Sequence, residues 1–411
     1  MWNKEIRPTT QSLAAIAIIL IILSVLIISD GKYIDDAYIT LSYASTLAES
    51  GTWGMASHWT SNAATSPLNV IIEALIIHLG ANGDDSIFIL NIFSFILSYY
   101  GLSYFSIKKF GSNLFSIVVS SMVFINPLLF STLGLESVLF ISLSILFTRF
   151  LAEQRIVMFS LTATLLVLCR PDGLIFFIIG LSFLSRINVK HLLRYILIFG
   201  LTLAPWYIYS WIELGSFIPD TFFIKKRQSD WGGSSYFSGL FMYLEKFPLE
   251  FTLSFFLACY APFISRKSIS GLDLLIKIPA IYTLAHFISY SLIGVPPYHW
   301  YYSYEVFFIT LIGTIALFSL NHKQTSITIL TFFFAGSTAI NLYAIKEKDV
   351  PPISTNWGSV QQYKEIAEWI NHHTDESNIQ IQGELGVIQY YTNANMVDEF
   401  SDRKILLEKK E

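Results

Sequence analysis

The stretch Ile34-Asp35-Asp36-Ala37-Tyr38-Ile39-Thr40-Leu41-Ser42-Tyr43 closely follows an apolar run from Ser12 to Ser29. The run is long enough to cross a hydrocarbon core of ~30 Å and carries no charge. Lys4 and Arg7 precede it, so the positive-inside rule puts its start in the cytoplasm and the aspartate doublet on the outer face. No small-residue cleavage site follows, which reads as a retained first helix rather than a removed signal peptide. The spacing after the doublet predicts juxtamembrane helix over Asp35 to Leu47. A loop to about Ala64 then carries Gly51, Trp53 and Gly54.

Outward from this point the chain is mostly membrane. Hydrophobic residues make up 53% and charged residues 14%, a balance that excludes a soluble domain. The net charge of −4 and the lack of any Lys/Arg block argue against nucleic acid as a partner. The two cysteines, Cys169 and Cys259, fit neither a metal site nor a disulfide framework and read as packing residues. Pro67 to Leu79 opens on a helix-start signal, Thr65-Ser66-Pro67, but is short for a span and carries Glu73. Read as juxtamembrane or re-entrant, it leaves the later basic turns on the inside, from Lys108-Lys109 and Arg149 to Arg266-Lys267 and Lys323. The expected fold is an all-α polytopic membrane protein with about 11 transmembrane helices over residues 1–345. Residues 346–411 read as a small external α/β appendage: Val360, Tyr363, Ala367 and Ile370 follow helical spacing, and Ile379 to Gln382 alternates like a strand.

This topology gathers the unusual residues at one boundary. Ionisable groups near membrane segments are functional suspects. Asp35 and Asp36 could supply a general base, because desolvation and mutual repulsion raise a carboxylate's pKa; the alternative is a solvated loop pair. Glu136, after Gly134, is either a further site acid or a helix-start acid stabilised by the dipole. Lys225, Lys226 and Arg227 break the inside-positive pattern and could clamp a phosphate or touch anionic headgroups. Arg170 and Asp172 could pair at the turn marked by Pro171 and Gly173. Tyr298, Trp300, Tyr301 and Tyr302 could stack a sugar or form an interfacial belt, and His299 could hold a leaving phosphate. No Gly-rich phosphate loop is present. Asp35, Asp36 and Glu136 could also ligate a divalent metal, since a hard cation takes oxygen ligands.

Asp35-Asp36-Ala37-Tyr38-Ile39, Leu47-Ala48-Glu49-Ser50-Gly51 and Thr65-Ser66-Pro67-Leu68 resemble the opening of one branch of the GT-C membrane glycosyltransferases. That branch includes the actinobacterial cell-wall arabinofuranosyltransferases. Gly134-Leu135-Glu136, Arg170-Pro171-Asp172-Gly173, Gly215 to Phe222, Tyr298 to Tyr302 and Gly383 to Tyr391 are similar to its later motifs, in order. The chain departs from the branch at Ser42, where an Arg is frequent, and at Asn62-Ala63-Ala64, where an acidic-Gly run is frequent. The resemblance implies a GT-C fold and a multi-pass protein of the bacterial inner (cytoplasmic) membrane, with an active site facing the periplasm or exterior. It implies a polyprenyl-phosphate-linked sugar donor, an acceptor glycan, glycolipid or protein, and inverting transfer. It carries the essential acid of the first external loop onto Asp35 or Asp36. Glu136 then falls where related enzymes hold a second acid. Lys225, Lys226, Arg227, His299 and Arg170 are expected at the donor phosphate, and Tyr38, Tyr43, Thr65, Ser66, Tyr298, Trp300 and Tyr301 at the sugar or acceptor. Two other readings compete: a flippase or transporter of lipid-linked saccharides, and an O-antigen-type ligase or polymerase. A transporter would place charges near the midplane on paired repeats, and no repeat is visible.

Overall fold

The computed structural model describes residues 8–405 apart from 57–59, 185–188, 230–232, 321, 375–377, 382 and 403–404. Lys4 and Arg7, on which the orientation of the first helix was reasoned, lie outside the described residues. Helix α1 (Pro8–Ser29) is apolar on all sides and leaves Leu13, Ile16 and Leu20 exposed, as a lipid-facing helix does. Helix α2 (Asp35–Ser50) begins on the two acids, which favour a helix N-terminus, and stops at Gly51 in the left-handed conformation. Helix α3 (Pro67–His78) starts at Ser66, whose hydroxyl accepts the Asn69 N–H, with Pro67 next. Its twelve residues span about 18 Å, well short of a bilayer core. It packs among α2, α8 (Ile156–Cys169) and α4 (Gly83–Phe110).

The rest of the bundle follows in order. Helices α5 (Leu114–Ile125), α6 (Pro127–Phe130) and α7 (Ser137–Ala152) are almost wholly buried. After α8, a single 3₁₀ turn at Pro171–Gly173 leads to α9 (Leu174–Phe183), then α10 (Val189–Glu213) and the short α11 (Asp220–Arg227). Helix α12 (Tyr236–Lys246) begins with a Ser235–Ser238 capping box, and α13 (Pro248–Phe255) runs on as a 3₁₀ segment to Phe263. Helices α14 (Asp273–Ile293), α15 (Ser303–Ser319) and α16 (Lys323–Tyr343) complete the bundle. α15 is its buried centre, and α14 exposes Leu284 and Leu292. Among the described residues six helices are long and apolar enough to cross a membrane, and six shorter ones are apolar. Each crossing expected from the sequence falls on one of these, with α3 left over.

The segment after Lys348 forms α17 (Val360–His373), β1 (Asn378–Gln380), α18 (Leu385–Tyr391) and β2 (Asn395–Val397). The two strands pair in parallel, with Ile379 opposite Met396 and α18 as the crossover. α18 lies directly on α2, and Tyr391 donates to Asp84 of α4 at 3.2 Å. The small α/β layer therefore caps the end of the bundle at which the aspartate doublet sits.

Candidate active site

The doublet divides its labour. Successive residues on a helix point about 100° apart. Asp35 turns toward the tail, where its two oxygens accept the N–H groups of Gly386 and Val387, each at 2.8 Å. Gly386 permits this approach, because a Cβ there would overlap the carbonyl oxygen of Asp35. Burial pushes the Asp35 carboxyl up to about 7, against the two backbone bonds that favour its charge. Asp36 turns the other way and meets the Lys225 ammonium at 3.2 Å, with about a third of its side chain open.

Lys225 is brought there by α11. The Asp220 N–H donates to the carbonyl of Asn62 at 2.7 Å, and the Thr221 hydroxyl donates to that of Ala63, which ties α11 to the loop before α3. The ammonium lies over the rings of Tyr298, at 4.2 Å, and Trp300, at 5.1 Å. Those rings stack on each other at 4.5 Å and 6°, and the Tyr298 hydroxyl donates to Gln228 at 2.9 Å. Burial pulls the Lys225 pKa down, but Asp36 and the neighbouring phenols outweigh it and hold it above the usual lysine value.

Arg170, between α8 and the 3₁₀ turn, is a second buried cation. Its Nη1 donates to Glu136, its Nε to Asp172 at 3.0 Å, and its Nη2 to the Tyr290 hydroxyl at 2.7 Å. Behind it the network continues into the bundle. Asp172 Oδ2 is 2.9 Å from His286 Nε2, His286 Nδ1 is 2.6 Å from Glu305, and the Tyr236 hydroxyl donates to Glu305 at 2.7 Å. Buried charges are tolerated only when paired in this way.

These groups surround three connected chambers. A narrow central one, about 60 Å³, is lined by Asp36, Thr65, Ser66, Glu136, Arg170 and Lys225. It shares Asp36, Lys225, Trp300 and Phe400 with a polar chamber of about 250 Å³, walled on the tail side by Asn356, Trp357 and Glu384. Glu384 sits there with a left-handed backbone, φ 47°, directly after Gly383 at φ 72°. On the other side the central chamber shares Arg170, Lys225 and Tyr301 with an apolar chamber of about 380 Å³. Ile175, Ile218, Phe222, Ile293 and Val295 line that one, and Lys226 sits at its wall.

The structure thus brings together Asp36, Thr65, Ser66, Glu136, Arg170, Lys225, Trp300 and Tyr301 around one chamber, with Asp35, Tyr298 and Lys226 in the adjoining ones. It places the others elsewhere. Tyr38 is fully buried, with its hydroxyl 3.1 Å from the Gly31 carbonyl, and lies against Tyr390 and Tyr391. Tyr43 braces the loop before α3, through Ser61 Oγ at 2.6 Å and the Ala63 N–H at 2.9 Å. Arg227 pairs with Glu399 at 2.7 Å, away from all three chambers. His299 is fully buried against the Ser131 carbonyl and lines none of the three.

Of the three acids that could ligate a metal, Asp35 accepts backbone N–H groups, Asp36 pairs with Lys225 and Glu136 with Arg170. Among the described residues no three His, Cys, Asp or Glu side chains gather as a metal site. Sequence reasoning passed over His286, Glu305, Tyr236 and the tail residues Trp357, Glu384 and Phe400. For His286 and Glu305 the signal was present: each is an ionisable residue among apolar neighbours in a long apolar helix.

No protein-family model and no curated protein matches the chain. Solved structures do. ArnT from Cupriavidus metallidurans bound to undecaprenyl phosphate superposes with a TM-score of 0.60 at 11% identity, over 96% of this chain and 88% of that one. Its apo form gives 0.63 at 10% identity, over 94% and 85%. The fold is that of the GT-C membrane glycosyltransferases. The oligosaccharyltransferase AglB from Archaeoglobus fulgidus, in complex with an inhibitory peptide and a dolichol-phosphate, gives 0.50 at 11% identity, over 92% of this chain and 64% of that longer one. In this chain the first inter-helix loop, the turn before α7, the 3₁₀ turn after α8 and the loop after α14 all meet at one end of the bundle.

Proposed function

We propose that this protein is a membrane glycosyltransferase that moves a sugar from a polyprenyl-phosphate donor to an acceptor hydroxyl, with Asp36 as general base. The observation that carries the reading is the position of Asp36 and Lys225, at the junction of an apolar chamber bearing cations and a polar chamber walled by aromatics. The undecaprenyl phosphate bound to ArnT and the dolichol-phosphate in the AglB complex support a lipid monophosphate as the donor's carrier. The lipid lies along Ile175, Phe222 and Ile293, and its phosphate meets Lys225 and the two Arg170 N–H groups left over from its protein partners.

The acceptor enters the polar chamber, with a sugar face on Trp300 or Trp357. Its hydroxyl oxygen attacks the anomeric carbon while its proton passes to Asp36. The bond from that carbon to the phosphate oxygen breaks, and the electron pair leaves on the phosphate. Lys225 and Arg170 stabilise the charge that develops there. Lys225 thus shifts its weight from Asp36 to the phosphate, which frees the carboxylate to accept a proton. A single displacement inverts the anomeric centre. By the distribution of basic turns the site faces outward from a bacterial cytoplasmic membrane. The test is transfer from a synthetic polyprenyl-phosphate sugar by Asp36→Asn and Asp35→Asn proteins. Asp36→Asn should lose about 10²- to 10⁴-fold and Asp35→Asn should keep most of its activity in the folded fraction. Full activity in Asp36→Asn would end the assignment.

A further inference from the structure

The relay behind Arg170 has more connections than a packing role requires. His286 is fully buried on α14, and both of its ring nitrogens face carboxylate oxygens, Asp172 at 2.9 Å and Glu305 at 2.6 Å. A neutral imidazole donates from one nitrogen only. The trio therefore holds one proton more than a neutral ring and two carboxylates would carry. On its other side Asp172 accepts the Arg170 Nε–H at 3.0 Å; the Tyr290 hydroxyl joins the same two residues, donating to Asp172 Oδ2 at 3.1 Å and accepting from Arg170 Nη2 at 2.7 Å. On the far side Glu305, on α15, is held by Tyr236 of α12 at 2.7 Å, and Tyr236 stacks on Tyr302 at 4.5 Å. Three helices thus converge on the orientation of one guanidinium. Of its five N–H groups, three are fixed by Asp172, Glu136 and Tyr290, and two are left at the wall that the central and apolar chambers share.

We propose that His286 is a positioning residue: by donating to Asp172 it locks the Arg170 guanidinium in the orientation that binds the phosphate of a lipid monophosphate, and Glu305 and Tyr236 hold His286 in turn. This rests on the donor reading above. A planar fork binds a phosphate well only when its plane is fixed, so freeing Asp172 costs phosphate affinity although neither His286 nor Asp172 need touch the ligand.

The experiment measures binding of undecaprenyl phosphate to the full-length protein in detergent, with melting temperature recorded for each variant. His286→Phe keeps a ring but removes both donors, and should weaken binding about tenfold or more, as loss of a hydrogen bond to a charged group does. Glu305→Gln keeps the imidazole donor to Asp172, and should bind within about twofold of wild type. Should His286→Phe fail to fold because Glu305 is left unpaired, the double variant His286→Phe/Glu305→Gln removes that charge and should show the same weakening. Wild-type affinity in a folded protein lacking His286 overturns the proposal and leaves the donor reading intact. So does equal weakening in Glu305→Gln, which would mean that the relay acts only through general packing. A wild-type protein that binds no lipid monophosphate sinks the donor reading, and this inference with it.

Discussion

Asp35 ties the tail to the bundle, and its environment makes that tie depend on pH. The carboxyl is buried and pushed from 3.8 up to about 7. When the tail lifts, the group returns to water and to its ordinary value, so the docked state holds the proton more tightly. Docking is then fully stable below about pH 4 and loses stability as pH rises through about 7. Three units at ~1.4 kcal/mol each come to about 4 kcal/mol across that window. Glu384, also raised by burial, adds to the same trend. Asp35→Asn removes the Asp35 share. It keeps one oxygen for one of the two N–H groups but turns an NH₂ toward the other, at a cost of about 1–2 kcal/mol. The variant should dock less firmly than wild type at pH 5, and the gap should close or reverse at pH 8. Hydrogen exchange of the 383–391 peptide, corrected for intrinsic rates, reads this directly. A flat wild-type profile, or an equal slope in Asp35→Asn, would refute the reasoning.

Other predictions follow from the same geometry. Lys225→Gln removes the ammonium shared by all three chambers and should weaken lipid monophosphate binding about 10- to 100-fold; an unchanged affinity in titration would put the phosphate elsewhere. Gly386→Ala drives a Cβ into the Asp35 carbonyl and should loosen the tail by about 1–3 kcal/mol, seen as faster proteolytic nicking; resistance equal to wild type counts against the close contact. Arg227→Ala breaks an ion pair that is partly exposed and should cost under about 1 kcal/mol, with transfer activity unaltered; a collapse of activity would place Arg227 in the site after all.

The bundle was legible because lipid burial writes itself as long uncharged runs, such as Ser12 to Ser29, that need no partner to be recognised. The convergence of Asp36, Glu136, Arg170 and Lys225 followed from counting crossings. What each acid does was not legible. Asp35 and Asp36 are identical neighbours in the sequence, and partners far along the chain distinguish them: the tail, some 351 residues further on, for Asp35, and Lys225 for Asp36. Tyr38 and Tyr43 are expected at the sugar or acceptor from the resemblance, yet α2 turns both inward. His286 and Glu305 were hidden by the strength of the signal around them: one polar residue hardly alters the average of an apolar helix, although it is costly there.

The polar chamber draws its outer side from Asn356, Trp357, Glu384, Asp398 and Phe400, residues made after every helix of the bundle. During synthesis the helices can enter the bilayer while that side is still inside the ribosome. A half-made protein would therefore leave its charged groups open to water, and on the proposed transfer reaction that water would compete with the acceptor. Competence would arrive as a late event in the life of each molecule, set by the docking of a few residues on a helix made near the start.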